Sequence, residues 1–224
     1  VTDGIAEALQ PLHRFGIPIR CLTLAEGPPG IESQKQADLT IAPMLQLAAA
    51  QKDASGFLIA CFGDPGLHAL RDQTALPVLG IQESAVMTAL TLGQRFGVIA
   101  ILPGSIPRHL RAFGAMGVLD RLAGDHALGL GVADLADPQK SLAAMVATGK
   151  RLRDVDGANV LIMGCAGMAQ YRATLEDETG LPVVEPCQAA AAMALVLVAG
   201  FGRFDPSIWV LLAEVAADPT RRPR

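Results

Sequence analysis

Phe57-Leu-Ile-Ala-Cys-Phe-Gly-Asp-Pro-Gly66 is the stretch from which the rest of the chain can be read. Four apolar residues run into a cysteine, then a glycine, then Asp64-Pro65. Such a run reads as a buried strand, Phe57 to Cys61, closed by a tight turn that opens a helix over Pro65 to Gln73. Asp64 is the expected N-cap and Pro65 suits the first helical position. A passage of the same make, Val160-Leu-Ile-Met-Gly-Cys-Ala-Gly-Met168, follows 104 residues later. Cys61 and Cys165 thus both stand at the carboxyl end of an apolar strand, next to the N-terminus of a helix.

Outward from these two passages the pattern alternates. Helices are expected over residues 2–15, 32–51, 83–92, 138–152, 168–178 and 188–198, with one more running through Phe113 after the turn Pro103-Gly104-Ser105. Strands are expected over residues 17–24, 77–81, 96–102, 127–133 and 182–184, and a short apolar stretch follows Trp209 before a frayed polar tail, Pro219 to Arg224. Strands alternating with helices imply parallel sheets covered on both faces. The segments Pro77-Val-Leu-Gly-Ile-Gln-Glu-Ser-Ala85 and Pro182-Val-Val-Glu-Pro-Cys-Gln-Ala-Ala190 repeat at nearly the same offset as the cysteines. The fold class is therefore α/β with two pseudo-symmetric domains, each a short parallel sheet flanked by helices: 1–94 plus 201–224, and 95–200. Shifted back by the repeat, the strand at Phe96 has no counterpart after Val1. The reading is that the first domain lacks its opening strand and that about ten further residues precede Val1.

Composition narrows the function. The chain has 224 residues, 51% of them hydrophobic, 18% charged and only 4% aromatic, with a net charge of −4. That leaves no basic surface for nucleic acid and few rings for base stacking. The longest apolar run, Ala189 to Gly200, is short of a membrane span and reads as a buried helix. Four cysteines with no CxxC pair fit reduced thiols in the cytoplasm, and no signal peptide is visible. The expected partners are a small-molecule substrate and further copies of the chain, with no nucleic acid and no membrane.

A single buried cysteine is most often a small hydrophobe, and Cys21 and Cys187 are read that way. Cys61 and Cys165 differ. Both end strands, where open α/β sheets place ligands, both precede helix N-termini, which favour thiolate, and they occupy equivalent places in a repeat. Two thiols facing one cleft suit a nearly symmetric reaction: racemisation at a carbon acidified by a carbonyl. One base takes the proton from one face and an acid returns one to the other. With a reference pKa of about 8.5, a modest shift leaves one thiolate and one thiol at neutral pH. Backbone N–H groups in the glycine-rich turns are candidate donors to the developing enolate. No metal is expected, because no histidine falls near either cysteine at ligand spacing. His68 reads as a helix-surface residue, and His13, His109 and His126 as surface or loop residues. Gly129-Leu-Gly131 fails as a dinucleotide fingerprint, with Asp134 in the third glycine position. Asp64, Glu83 and Glu185 read as turn or cap residues.

At these residues the sequence resembles the Asp/Glu/hydantoin racemase superfamily, most of all its hydantoin and allantoin racemase branch. The motifs are Ala60-Cys-Phe-Gly-Asp-Pro-Gly-Leu67, Gly80-Ile-Gln-Glu-Ser-Ala85, Gly164-Cys-Ala-Gly-Met168 and Pro182-Val-Val-Glu-Pro186. The resemblance implies an active site in the cleft between two α/β domains, no cofactor, and Cys61 and Cys165 as the catalytic acid/base pair. Substrate-binding candidates are Phe62, Gly63, Gly80, Ser105, Ala166, Gly167 and Glu185. Amino-acid racemases of this superfamily follow their cysteines with polar side chains, whereas Phe62-Gly63 and Ala166-Gly167 suit a flat, mostly neutral ring such as a 5-substituted hydantoin or allantoin. The alternatives are an amino-acid (Asp/Glu-type) racemase, a maleate isomerase-like enzyme, and a non-catalytic ligand-binding protein on the same fold. Ala100-Ile101 stands where hydantoin racemases often carry a threonine, and Glu185 where Asp is common.

Overall fold

The computed structural model describes residues 2–16, 18–28, 30–201, 205 and 207–213, so the tail expected at 219–224 lies outside the described residues. The first half runs α1 (Thr2–His13), β1 (Ile19–Thr23), α2 (Gln34–Ala50), β2 (Gly56–Ala60), α3 (Leu67–Gln73), β3 (Val78–Gly80) and α4 (Ile81–Leu92). The second runs β4 (Phe96–Ala100), α5 (Ile106–Ala115), β5 (Leu122–Ala127), α6 (Pro138–Asp154), β6 (Val160–Met163), α7 (Arg172–Thr179), β7 (Val183–Val184) and α8 (Pro186–Phe201). A last strand, β8 (Trp209–Ala213), completes the described chain. The two long outer helices start at side-chain caps. Gln36 N–H donates to Ser33 Oγ at α2, and Lys140 N–H donates to the Asp137 carboxylate at α6.

The strands form two parallel four-stranded sheets, ordered β1-β8-β2-β3 and β5-β4-β6-β7. Place by place the two sheets correspond. β2 and β6 hold the third position in each and are buried along their whole length, as strands covered on both faces must be. The second position of the first sheet, opposite number to β4, belongs to β8, which comes from the far end of the sequence. Read with β8 ahead of α1, the first half has the same element order as the second. The geometry agrees: Thr23 stands opposite Ala213, and the Thr2 and Thr23 hydroxyls are 2.6 Å apart, so α1 begins beside the end of β8.

Two element readings are corrected. The strand expected over 127–133 lies earlier, at Leu122–Ala127. It pairs with β4 from Phe96↔Leu122 to Ala100↔Ala127 as a half-buried edge strand, and its polar Asp125 and His126 hid it. The apolar run after it turns instead, with Gly129 at φ 74. The helix expected from Pro65 begins at Leu67, and Gly66 at φ 74, not Asp64, occupies its N-cap.

The helices α4 and α8 are exchanged across the middle of the molecule. Ala85, Val86 and Ala89 of α4 pack with Phe96, Val98, Val160 and Ile162 of the second sheet. Cys187, Ala190, Ala191 and Ala194 of α8 pack with Leu58, Ala60, Trp209 and Leu211 of the first. The two sheets therefore meet through apolar core and present their carboxyl ends to a shared cleft. Among the described residues no helix is long and apolar enough to cross a membrane.

Candidate active site

Cys61 lies one residue beyond β2 and Cys165 two beyond β6. Gly164 makes the second position possible. A Cβ there would come within 2.6 Å of the Ile99 carbonyl oxygen, so only glycine lets the end of β6 lie this close to β4. Cys165 is 7% exposed and caps the 3-10 turn Ala166–Tyr171, its Sγ accepting the Gly167 N–H at 3.4 Å. The half-buried Cys61 thiol points to the Phe62 carbonyl, 3.8 Å away. The other two cysteines are chemically quieter. Burial raises the pKa of Cys21, and burial together with Glu185 raises that of Cys187 well above the ordinary thiol value.

The two cysteines wall one hollow, which Phe62, Ser105, Arg108, His109 and Ala166 also line. Its free volume is only about 10 Å³, room for about one water molecule. An outer chamber of about 310 Å³ adjoins it on the Cys61 side, sharing Ile31, Cys61, Phe62 and Arg108 and adding Gly63 and Arg111. Over the hollow, Ile31 and Val132 close a seam. Val132 N–H donates to Glu32 at 2.9 Å, and a Cβ on Gly30 would stand 2.8 Å from Val132 Cβ.

Of the residues expected from sequence, Phe62, Ser105 and Ala166 line the hollow with the cysteines, Gly63 lines the outer chamber, and Gly167 touches the sulfur of Cys165. Gly80 and Glu185 line neither. Glu185 is buried and accepts the N–H groups of Cys187 and Gln188 at 3.0 and 2.7 Å in the first turn of α8, and burial raises its pKa. Gly80 makes room for Asp64, whose Oδ2 would lie 2.2 Å from a Cβ there. Asp64 sits at φ 47 and accepts the Gln82 and Glu83 N–H groups at 2.9 Å, so it caps α4 rather than α3. Burial holds its pKa up at about 7 against those two donors. Glu83 pairs with Arg71 at 2.9 Å instead of capping.

Two polar residues of the hollow, Arg108 and His109, are not among the candidates from the sequence. Arg108 is half-buried, and its guanidinium reaches Glu32 O, Gly104 O and Ser105 Oγ, each at 3.3 Å. Burial lowers its pKa and negative charge on Cys61 opposes that shift, so the two groups feel each other. His109, expected at the surface, is fully buried, with Nδ1 2.8 Å from Asp125 Oδ2. The buried face of α5 runs Ser105, His109, Phe113 at a spacing of four, a register visible in the sequence. His126 is half-buried in β5 and pairs with Asp156 at 2.8 Å, while His13 and His68 are exposed. Among the described residues no group of three or more His, Cys, Asp or Glu side chains is placed to hold a metal ion.

Two parallel four-stranded sheets flanked by helices, with a thiol at each of two matching strand ends, make a fold that solved racemases share. A family model described as Asp/Glu/Hydantoin racemase matches residues 1–194. The chain belongs to the Asp/Glu/hydantoin racemase family, and it is a racemase of that family. It is 33% identical over 201 residues to a hydantoin racemase of Pseudomonas sp. (strain NS671), covering 88% of this chain and 81% of that one. It is 32% identical over 204 residues to a hydantoin racemase of Paenarthrobacter aurescens, covering 89% and 86%. Its fold superimposes on an allantoin racemase from Klebsiella pneumoniae with a TM-score of 0.82 and 28% identity, covering 99% of this chain and 89% of that one.

Proposed function

We propose that the chain racemises 5-substituted hydantoins or a related cyclic ureide such as allantoin, without a cofactor, with Cys61 and Cys165 as the pair of which one removes a proton and the other returns one. The carrying observation is that the two cysteines, from equivalent strands of the two sheets, wall one hollow. The thiolate of one cysteine takes the proton from the carbon next to the ring carbonyl, and the electron pair delocalises onto the carbonyl oxygen. The thiol of the other returns a proton to the opposite face, leaving the two sulfurs with exchanged protonation, ready for the other enantiomer. Gly167 N–H supports charge on Cys165, and the Arg108 cation supports charge on Cys61. The proposed thiolate/thiol chemistry needs both cysteines reduced, which fits a reducing compartment such as the cytoplasm.

Arg108 also favours a second reading. A guanidinium beside the thiols would seat a carboxylate, as an amino-acid racemase requires. Enantiopure 5-substituted hydantoins, allantoin and free amino acids, each incubated in D₂O, separate the two. Loss of optical rotation with deuterium at the α-carbon is expected for the ureides. If only amino acids exchange, the ring reading fails, and if nothing exchanges, racemisation of either class fails.

A further inference from the structure

The proton transfer described above leaves one buried pair without a task. His109 and Asp125 are held 2.8 Å apart with side chains 1% and 2% exposed. Each has a second polar atom, His109 Nε2 and Asp125 Oδ1, that is buried with no hydrogen-bond partner among the described residues. Leaving such an atom buried and unpaired forfeits its hydration without a protein partner to replace it. The surroundings offer no relief, because the Phe62 ring packs perpendicular to the imidazole, centroids 4.9 Å apart, and that of Phe113 lies 6.2 Å away. The same imidazole is a wall of the hollow between the two cysteines. A polar pair that is fixed on one nitrogen, unsatisfied on the other and set against the reaction space is arranged for a ligand.

We propose that His109, oriented by Asp125, binds the substrate through Nε2 by accepting a hydrogen bond from the ring N–H attached to the reacting carbon. This rests on the reading of the site as one for a cyclic ureide. With Nδ1–H donated to the Asp125 carboxylate, the neutral form of the ring that the proposal uses carries its lone pair on Nε2. The complement of that lone pair is an N–H donor, and in a hydantoin or allantoin N1–H is bonded to the carbon that loses its proton. The contact fixes the ring in its own plane from the side, so that one sulfur faces each side of the reacting carbon. It also gives the hollow a means of telling a ureide from a hydrocarbon ring of the same size.

The test pairs a protein change with a substrate change. His109→Phe combined with Asp125→Leu replaces both partners by apolar groups, which leaves no orphaned charge. His109→Gln serves as the second variant, and circular dichroism and thermal melting check both folds. Each protein is assayed with a 5-substituted hydantoin and with its N1-methyl and N3-methyl derivatives. Wild type is expected to lose about tenfold or more in kcat/KM on N1-methylation, the worth of one hydrogen bond of about 1.4 kcal/mol, and less on N3-methylation. The double variant is expected to be about tenfold slower on the parent compound and to lose little more on N1-methylation. Equal N1-methyl losses in wild type and in both folded variants, or wild-type rates in the double variant, would overturn the assignment of His109 alone. A wild-type protein that racemises no hydantoin and no allantoin would overturn the ureide reading, and this proposal with it.

Discussion

Each cysteine has a different electrostatic neighbour, and the difference can be measured. Cys61→Ser or Cys165→Ser is expected to cut racemisation at least a hundredfold, the low end of what a positioned acid or base supplies, with the fold unchanged by circular dichroism. One base survives in each variant, so α-proton exchange into D₂O should persist for one enantiomer only, and for opposite enantiomers in the two variants. Racemisation at wild-type rate in both would sink the two-base scheme. Arg108→Met keeps the aliphatic stem and removes the cation, so alkylation of Cys61 by iodoacetamide at pH 7 should slow several-fold, the worth of one nearby charge in partly solvated protein. An unchanged alkylation rate would show that the guanidinium does not act on that sulfur. The two thiols were legible in the sequence because both end apolar runs at a fixed offset. Arg108 and His109 are harder to read: His109 shares a spacing of four with Ser105 and Phe113, but a lone polar residue in one helical turn looks like surface, and the half-buried Arg108 beside it has no such spacing.

Among the elements, helix caps and the last strand depart most from what local pattern suggests. Asp64 was legible as a cap, but the sequence could not say of which helix, since Gln82 and Glu83 reach it only after β3 is paired to β2. Its raised pKa of about 7 carries a pH signature. Between the unfolded value near 3.9 and the folded value the native state holds the extra proton, so its stabilising contribution is full at low pH and is lost as pH rises through about 7. Asp64→Asn should therefore flatten the pH dependence of urea-unfolding stability between about pH 4 and 7, and an identical slope in the variant would refute the shift. The strand β8 was read only as an apolar stretch, because its partners β1 and β2 are far away in sequence. Trp209, fully buried, lies over Gly56, where a Cβ would come within 2.7 Å of its ring. Trp209→Ala should cost about 3–5 kcal/mol in chemical unfolding, the range for large aromatic truncations in a core. A loss under 1 kcal/mol would mean that β8 is not a central strand.

At the scale of the whole molecule, the repeat made two matching sheets legible, while the exchange of α4 and α8 was hidden because both helices are apolar on most faces and do not announce which sheet they cover. Their exchange, together with the seam over the cleft, makes access to the thiols a property of the whole structure. The hollow holds about 10 Å³ and the chamber beside it about 310 Å³, so the proposed ring substrate would have to part the seam to lie between the sulfurs. The seam is joined by the Val132 N–H to Glu32 bond at 2.9 Å and by Arg108 reaching the Glu32 carbonyl at 3.3 Å. Only the first of these uses the Glu32 side chain, and a hydrogen bond to a charged group is worth about 1.5–3 kcal/mol. Glu32→Ala should shift the balance toward the open form by that amount. In a Cys61→Ser background, alkylation of Cys165, which is 7% exposed, should then quicken about tenfold or more. In the otherwise wild-type protein the same change should lower kcat if the proposed proton transfer runs in the closed, water-poor arrangement. If Cys165 is alkylated no faster, the seam does not gate the site, and the substrate must enter by another route.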